Sequence, residues 1–201
     1  MKRAFSITIT IILGALLLVS CNKPAAPQST GQPASPPEVT TSQPESTQSP
    51  SADEIKTGVD IGEQLPDFTL TLRTGETVTL SEMIGKPVLL NLSTTWCPPC
   101  QIEFPEIQKI YDDYGESIYV LIVSSREKEA DVDAYFDKSG FTFPVAYDPT
   151  GSIFGHYYTI EFIPQTWILD KNGVVVDYIA GAGTVSMFSQ TLDKLLSQVS
   201  Q

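Results

Sequence analysis

Two patterns of apolar and polar positions divide the chain. In the first 56 residues the only sustained apolar run is 7–19, broken by Thr8, Thr10 and Gly14. Beyond residue 60 short apolar runs recur in two periods. "DFTLTLRTGETVTLSEM" alternates on both sides of Thr74-Gly75 and predicts a hairpin. "KPVLLNLS" and "SIYVLIVSS" are continuous apolar runs, as strands buried on both faces require. Between them, Pro98 to about Tyr114 predicts a helix with Ile102, Ile107 and Ile110 on one face and a bend at Pro105. "KEADVDAYFDKSG" predicts a second helix stopped at Gly140, "FTFPVAYD" a short strand, and "PTGSIFGHYY" a short helix or turn. "QTWILD" and "GVVVDYIAG" predict two strands joined at Lys171-Asn172-Gly173, and a last helix follows from about Thr184 to Val199. Strands alternating with helices, closed by a hairpin and a helix, make an α/β domain with a mixed sheet over residues 57–201.

The first part of the chain has a different character. Lys2 and Arg3 precede the apolar run, which is 13 residues long and ends at Ser20-Cys21. A basic start, a short apolar stretch and a small residue describe a secretory leader. A membrane-spanning helix is the alternative, but it needs about 20 apolar residues. Residues 22–56 are dominated by Pro, Ser, Thr, Gln and Ala. Such a segment cannot bury enough surface to offset its ordering entropy, so a disordered linker is expected. The organisation expected is therefore a leader over 1–20, a linker over 21–56 and one domain over 57–201.

Charge narrows the classes of partner. The chain has 24 acidic and 12 basic side chains, a formal net charge of −12. Loss of Lys2 and Arg3 with the leader would leave 10 basic residues and a balance of −14. No basic patch for nucleic acid is present, and the acidity argues against adhesion to anionic lipid through the protein surface. An acidic domain would favour a basic client or docking partner.

The chemistry concentrates in "STTWCPPCQIEFP", residues 93–105, which holds two of the three cysteines. A structural zinc site wants four ligands. The chain offers this pair and one histidine, His156, more than fifty residues on. A copper site would add a nearby His or Met, and none stands near Cys97. A disulfide across two residues closes too small a loop to be a useful staple. Redox work suits the pair better. At a helix start the Cys97 sulfur meets unsatisfied N–H groups and the positive end of the dipole, which favours the thiolate. Pro98 and Pro99 fit a first turn, where missing N–H groups cost least. Cys100, one turn on, can attack a mixed disulfide formed at Cys97.

Two resemblances extend this reading. "LVSC", residues 18–21, resembles the bacterial lipobox, which implies a lipidated Cys21 at the start of the mature chain and leaves Cys97 and Cys100 as an isolated pair. More than one acyl chain would anchor it stably. "VLLNLS", then "TTWCPPC" opening a helix, then "FIPQTWILD" about 65 residues on, resemble the thioredoxin fold. More narrowly, they resemble the TlpA/ResA-like thiol-disulfide oxidoreductases. The opening "GEQLPDFTL" and "VTLSEMIGKPVLLNL" are shared with the wider redoxin group, peroxiredoxins included.

The resemblance implies a mixed central sheet flanked by helices, with an extra N-terminal β-hairpin, and no cofactor or metal. Pro164, after Ile163, matches the cis-proline facing the cysteine pair, whose neighbouring backbone pairs with substrate. Trp96 matches the aromatic residue beside the active site. Glu103 matches the acid three residues after the second cysteine. One departure stands out. Thioredoxins of the cytoplasm carry a buried Asp six positions before the first cysteine, and this chain has Asn91. An amide cannot take a proton from the resolving thiol, so Glu103 is the candidate base.

The resemblance further implies a monomer anchored at the outer face of a bacterial cytoplasmic membrane, or periplasmic. It would reduce disulfides in client proteins such as apocytochrome c and draw electrons from a membrane donor of CcdA/DsbD type. Ile163 before the proline favours a reductant over a disulfide donor. Two alternatives have their own signatures. A peroxiredoxin-like peroxidase is suggested by Thr94, three residues before Cys97. Its motif wants a Pro four residues earlier still, where Leu90 stands. A metal-binding or non-catalytic module would not need both cysteines beside a matching proline.

Overall fold

All six residues of β3 (Val88–Ser93) are buried, and the strand is the axis of the domain. The computed structural model describes residues 55–153 and 162–199. β3 pairs in parallel with β4 (Tyr119–Ser125) and antiparallel with β6 (Gln165–Leu169). β4 pairs in parallel with β5 (Val145–Asp148), and β6 runs antiparallel to β7 (Val175–Ala180). The predicted hairpin, β1 (Thr69–Leu72) and β2 (Thr77–Thr79), joins the same sheet by antiparallel pairing of β1 with β5. The order is β2-β1-β5-β4-β3-β6-β7, a mixed seven-stranded sheet. The sequence-based fold class, including the extra hairpin, is the one observed.

Alternation along the central strands sorts the side chains onto two faces. Leu89, Val120, Ile122 and Ile168 meet the helices α1 (Pro98–Tyr114), α2 (Glu129–Ser139) and α3 (Val185–Val199). Leu90, Leu92, Leu121, Val123 and Trp167 meet Leu65, Phe68, Leu80 and Met83 from the N-terminal part of the domain. Asn91 and Thr166 share the helix-facing parity of Leu89 and Ile168, so two polar side chains of neighbouring strands point at α1.

The helix α1 buries Cys100, Glu103, Phe104, Ile107 and Ile110, spacings of three and four that trace one stripe. The expectation for Ile102 is corrected here: it is 69% exposed. Five residues from Ile107, it stands about 140° round the helix from the buried stripe. The helix runs on through Pro105, whose missing N–H leaves the Gln101 carbonyl without its usual donor. Phe104 is the hub of an aromatic cluster, its ring 5.4 Å from Phe136, 5.9 Å from Tyr135 and 6.0 Å from Phe141. Arg73, from the loop after β1, pairs with Asp133 and Asp137 of α2 and lies 5.5 Å over the Phe136 ring, which ties the hairpin to the helix layer.

The turns follow from composition. Gly140 ends α2 in the left-handed region at φ 75°. In the β6–β7 turn, Asp170 Oδ1 accepts from the N–H groups of Asn172 and Val174, and Gly173 takes φ 83°. The expected leader, Cys21, the expected linker up to residue 54, half of "PTGSIFGHYY" (154–158) and with it His156 lie outside the described residues. Among the described residues no helix is long and apolar enough to cross a membrane.

Phe104→Ala is expected to cost roughly 3–5 kcal/mol, since it empties a fully buried aromatic site between two helices and the sheet. Urea unfolding would show this as a lower midpoint at an unchanged slope.

Candidate active site

Cys97 is the N-cap residue of α1, in extended conformation, with Pro98 and Pro99 at the first two helical positions. Its sulfur accepts the N–H of Cys100 at 3.3 Å, which is the place of a Ser or Asp oxygen at an ordinary helix start. Cys97 and Cys100 are joined as a disulfide. Cys97 retains 3% exposure and Cys100 none, so only the first can be approached from outside. Pro98 and Pro99 are exposed beside them.

The Ile163–Pro164 peptide bond is cis, as the matching of Pro164 implied. It brings the Ile163 carbonyl oxygen to 3.7 Å from Cys97 Sγ. Trp96 is 67% exposed. With Leu92, Thr94, Phe162 and Ile163 it lines a groove of about 190 Å³, which Arg126 also borders.

Beneath the pair lies Glu103, fully buried and one turn beyond Cys100 on the same face of α1. Asn91 Nδ2 donates to its Oε2 at 2.8 Å. The Gly183 N–H and the Thr166 hydroxyl donate to Oε1 at 2.9 and 3.3 Å. Burial outweighs these three donors and pushes the carboxyl up to about 7. Asn91 therefore stands where an acid was absent from the strand and instead supports an acid on the helix.

Sequence reasoning missed three residues of this site. Gly183 supplies an N–H to Glu103, and a Cβ there would stand 2.4 Å from the Phe188 ring and 3.2 Å from Glu103 Oε1. Only its place in "GAG" hinted at a tight approach. Glu127, after β4, is buried and accepts from the Thr95 N–H at 2.8 Å, the Thr95 hydroxyl at 2.6 Å and Ser124 Oγ. Gln101 Nε2 donates to the Thr95 carbonyl at 2.7 Å. Thr95 is thus held at its N–H, hydroxyl and carbonyl two residues before Cys97. No spacing rule links residue 127 to residue 95. Among the described residues, no three His, Cys, Asp or Glu side chains gather as a metal site.

The AhpC/TSA family profile matches residues 61–178. The chain is 37% identical over 139 residues to "Thioredoxin-like protein YneN" of Bacillus subtilis, covering 68% of this chain and 81% of that one. It is 33% identical over 141 residues to "Thiol-disulfide oxidoreductase ResA" of Geobacillus kaustophilus, covering 70% and 80%. Among solved structures, the pneumococcal exposed lipoprotein thioredoxin Etrx1 of Streptococcus pneumoniae superposes with a TM-score of 0.59 at 29% identity, over 65% of this chain and all of that one.

A carboxyl at about 7 against an ordinary 4.5 makes the folded state the better proton binder between those values. The sign follows: the contribution of Glu103 to stability is fully present below pH 4.5 and is lost as pH rises through 7, by about 3 kcal/mol. Glu103→Gln is expected to level that slope in the disulfide form, read by urea unfolding at a series of pH values. A slope that the substitution leaves intact would place the titrating group elsewhere.

Proposed function

Because the chain belongs to the AhpC/TSA family and covers four-fifths of its ResA-type relatives, we propose that it is a thiol-disulfide oxidoreductase. It works outside the cytoplasm on a lipid anchor and reduces disulfides of client proteins. One observation carries the reading. The Cys97 sulfur caps α1, receives the Cys100 N–H, faces the cis Ile163–Pro164 bond and is already joined to Cys100.

The reaction follows from that geometry. In the dithiol form, the helix start and the Cys100 N–H favour the Cys97 thiolate. The thiolate attacks one sulfur of a client disulfide; the S–S bond breaks, the second client sulfur leaves as a thiolate and takes a proton from solvent. The client backbone lies along Ile163, whose carbonyl faces the sulfur. Glu103, ionised in part near pH 7, takes the Cys100 proton, and Cys100 attacks Cys97. The mixed disulfide breaks, the first client cysteine leaves as a thiolate and takes a proton from solvent, and Cys97–Cys100 forms. Two electrons pass to the client. An upstream dithiol donor restores the pair, and a membrane carrier of CcdA/DsbD type has that chemistry.

Anchoring rests on "LVSC" at residues 18–21, with Cys21 as the lipidated residue, and on likeness to a lipoprotein thioredoxin. Extracytoplasmic placement makes reduction the demanding direction, since that compartment is oxidising. Ile163 beside Pro164 favours reduction, and apocytochrome c is the first client class to test.

Equilibration of the mature chain with dithiothreitol buffers is expected to give a potential near −270 mV, the thioredoxin value, whereas about −120 mV would make it a disulfide donor. Glu103→Gln is expected to slow resolution of the mixed disulfide about 10²-fold and to remove the inflection near pH 7 from its rate profile. Stopped-flow Trp fluorescence would follow it; an unchanged profile would assign the proton to water.

A further inference from the structure

Arg126 follows the last residue of β4 with φ 59°, and it is the only residue other than glycine with a positive φ among those described. A Cβ disfavours that conformation, so the surroundings must hold it. The Arg126 N–H donates to the Asp148 carbonyl at 2.8 Å. Its stem runs over Gly151, where a Cβ would come within 2.5 Å of Nε and 2.7 Å of Cγ. A bare glycine thus leaves the passage for the side chain. The next residue is Glu127, which clamps Thr95. One turn therefore fixes the cysteine loop and presents a guanidinium to the groove beside it.

The two arginines among the described residues have opposite fates. Arg73 is paired with Asp133 and Asp137. Arg126 has no carboxylate partner among the described residues, in a chain where acids outnumber bases two to one. The groove it borders is largely apolar, with Leu92, Trp96, Phe162 and Ile163. Its other polar residues are Thr94 and Ser125: Ser125 Oγ donates to Asp148 Oδ2 at 3.3 Å, and Thr94 Oγ1 is buried with no hydrogen-bond partner among the described residues. A cation with no carboxylate partner among the described residues, in a largely apolar groove that Trp96 lines next to Cys97, suits a ligand with one carboxylate on an apolar chain.

We propose that this groove is a client-recognition subsite that selects disulfides with an Asp or Glu close to the attacked cysteine, the client carboxylate meeting Arg126. The inference rests on the oxidoreductase reading and adds the client's local chemistry to it. The overall negative charge works the other way at long range. At physiological salt it is screened beyond about 8 Å, so the contact pair decides once the client is docked.

The test uses the whole chain in its dithiol form at physiological ionic strength. Its second-order rate constants are measured with peptides closed by one disulfide and identical but for Glu, Gln or Lys beside the attacked cysteine. Dithiodipyridine, a neutral disulfide, is run alongside. The Glu peptide is expected to react about fivefold faster than the Gln peptide, the scale of an accessible ion pair, and the Lys peptide slower. Arg126→Gly suits the backbone and should erase the difference; Arg126→Lys should keep part of it, and Arg126→Glu should invert it. Equal rates for the three peptides, or a preference that survives in Arg126→Gly, would overturn the subsite while reaction with dithiodipyridine leaves the oxidoreductase reading standing. Failure to react with any disulfide would overturn both. A wild-type dimer in sedimentation that Arg126→Gly dissociates would put a second copy of the chain in the groove and overturn the proposal as well.

Discussion

The buried Glu103 carboxyl ties together the parts that carry the cysteines. It stands on α1, accepts from Asn91 on β3, from Thr166 on β6 and from Gly183 ahead of α3. A charge at that depth is costly unless it is hydrogen-bonded, and three donors from three separate elements offset part of that cost. The arrangement restricts how α1 can sit. A small slide along the sheet would leave the carboxyl and two strand side chains unpaired together, so the polar cluster sets the register of the cysteine helix more sharply than the apolar contacts around Phe104 could.

A second cluster does for the loop what the first does for the helix. Thr95 is gripped from β4 through Glu127 and from α1 through Gln101. The segment between β3 and α1 is short and crosses from sheet to helix, where backbone groups lack regular partners. Supplying them from outside lets Cys97 take the extended conformation of a cap while its sulfur faces the cis bond.

Much of this was legible in the chain. Continuous apolar runs identified β3 and β4, period two identified the hairpin, and the Pro98 and Gly140 signals placed helix ends to within a residue. Cys97 and Cys100 stood out by their chemistry and spacing, whereas Pro164 and Glu103 were marked only by the resemblance to the TlpA/ResA-like oxidoreductases. Ile102 is apolar but faces out, because its neighbours at the helical period, Pro99, Pro105 and Lys109, belong to the exposed flank. Glu127, Gly183 and Arg126 could not be found by spacing. Each acts through a partner far along the chain, and only the sheet order β5-β4-β3-β6 brings them to one end of the molecule.

Because the Cys97 sulfur is both nucleophile and helix cap, replacing it has two effects that depend on the replacement. Serine keeps an acceptor at the head of α1, while alanine leaves the Cys100 N–H without one and costs on the order of 1 kcal/mol. The two variants, interchangeable as inactive controls, are therefore not interchangeable as measures of how the cysteine supports the fold. A trapped mixed disulfide prepared at Cys97 likewise reports on a helix whose first turn has exchanged a thiolate for a weaker acceptor.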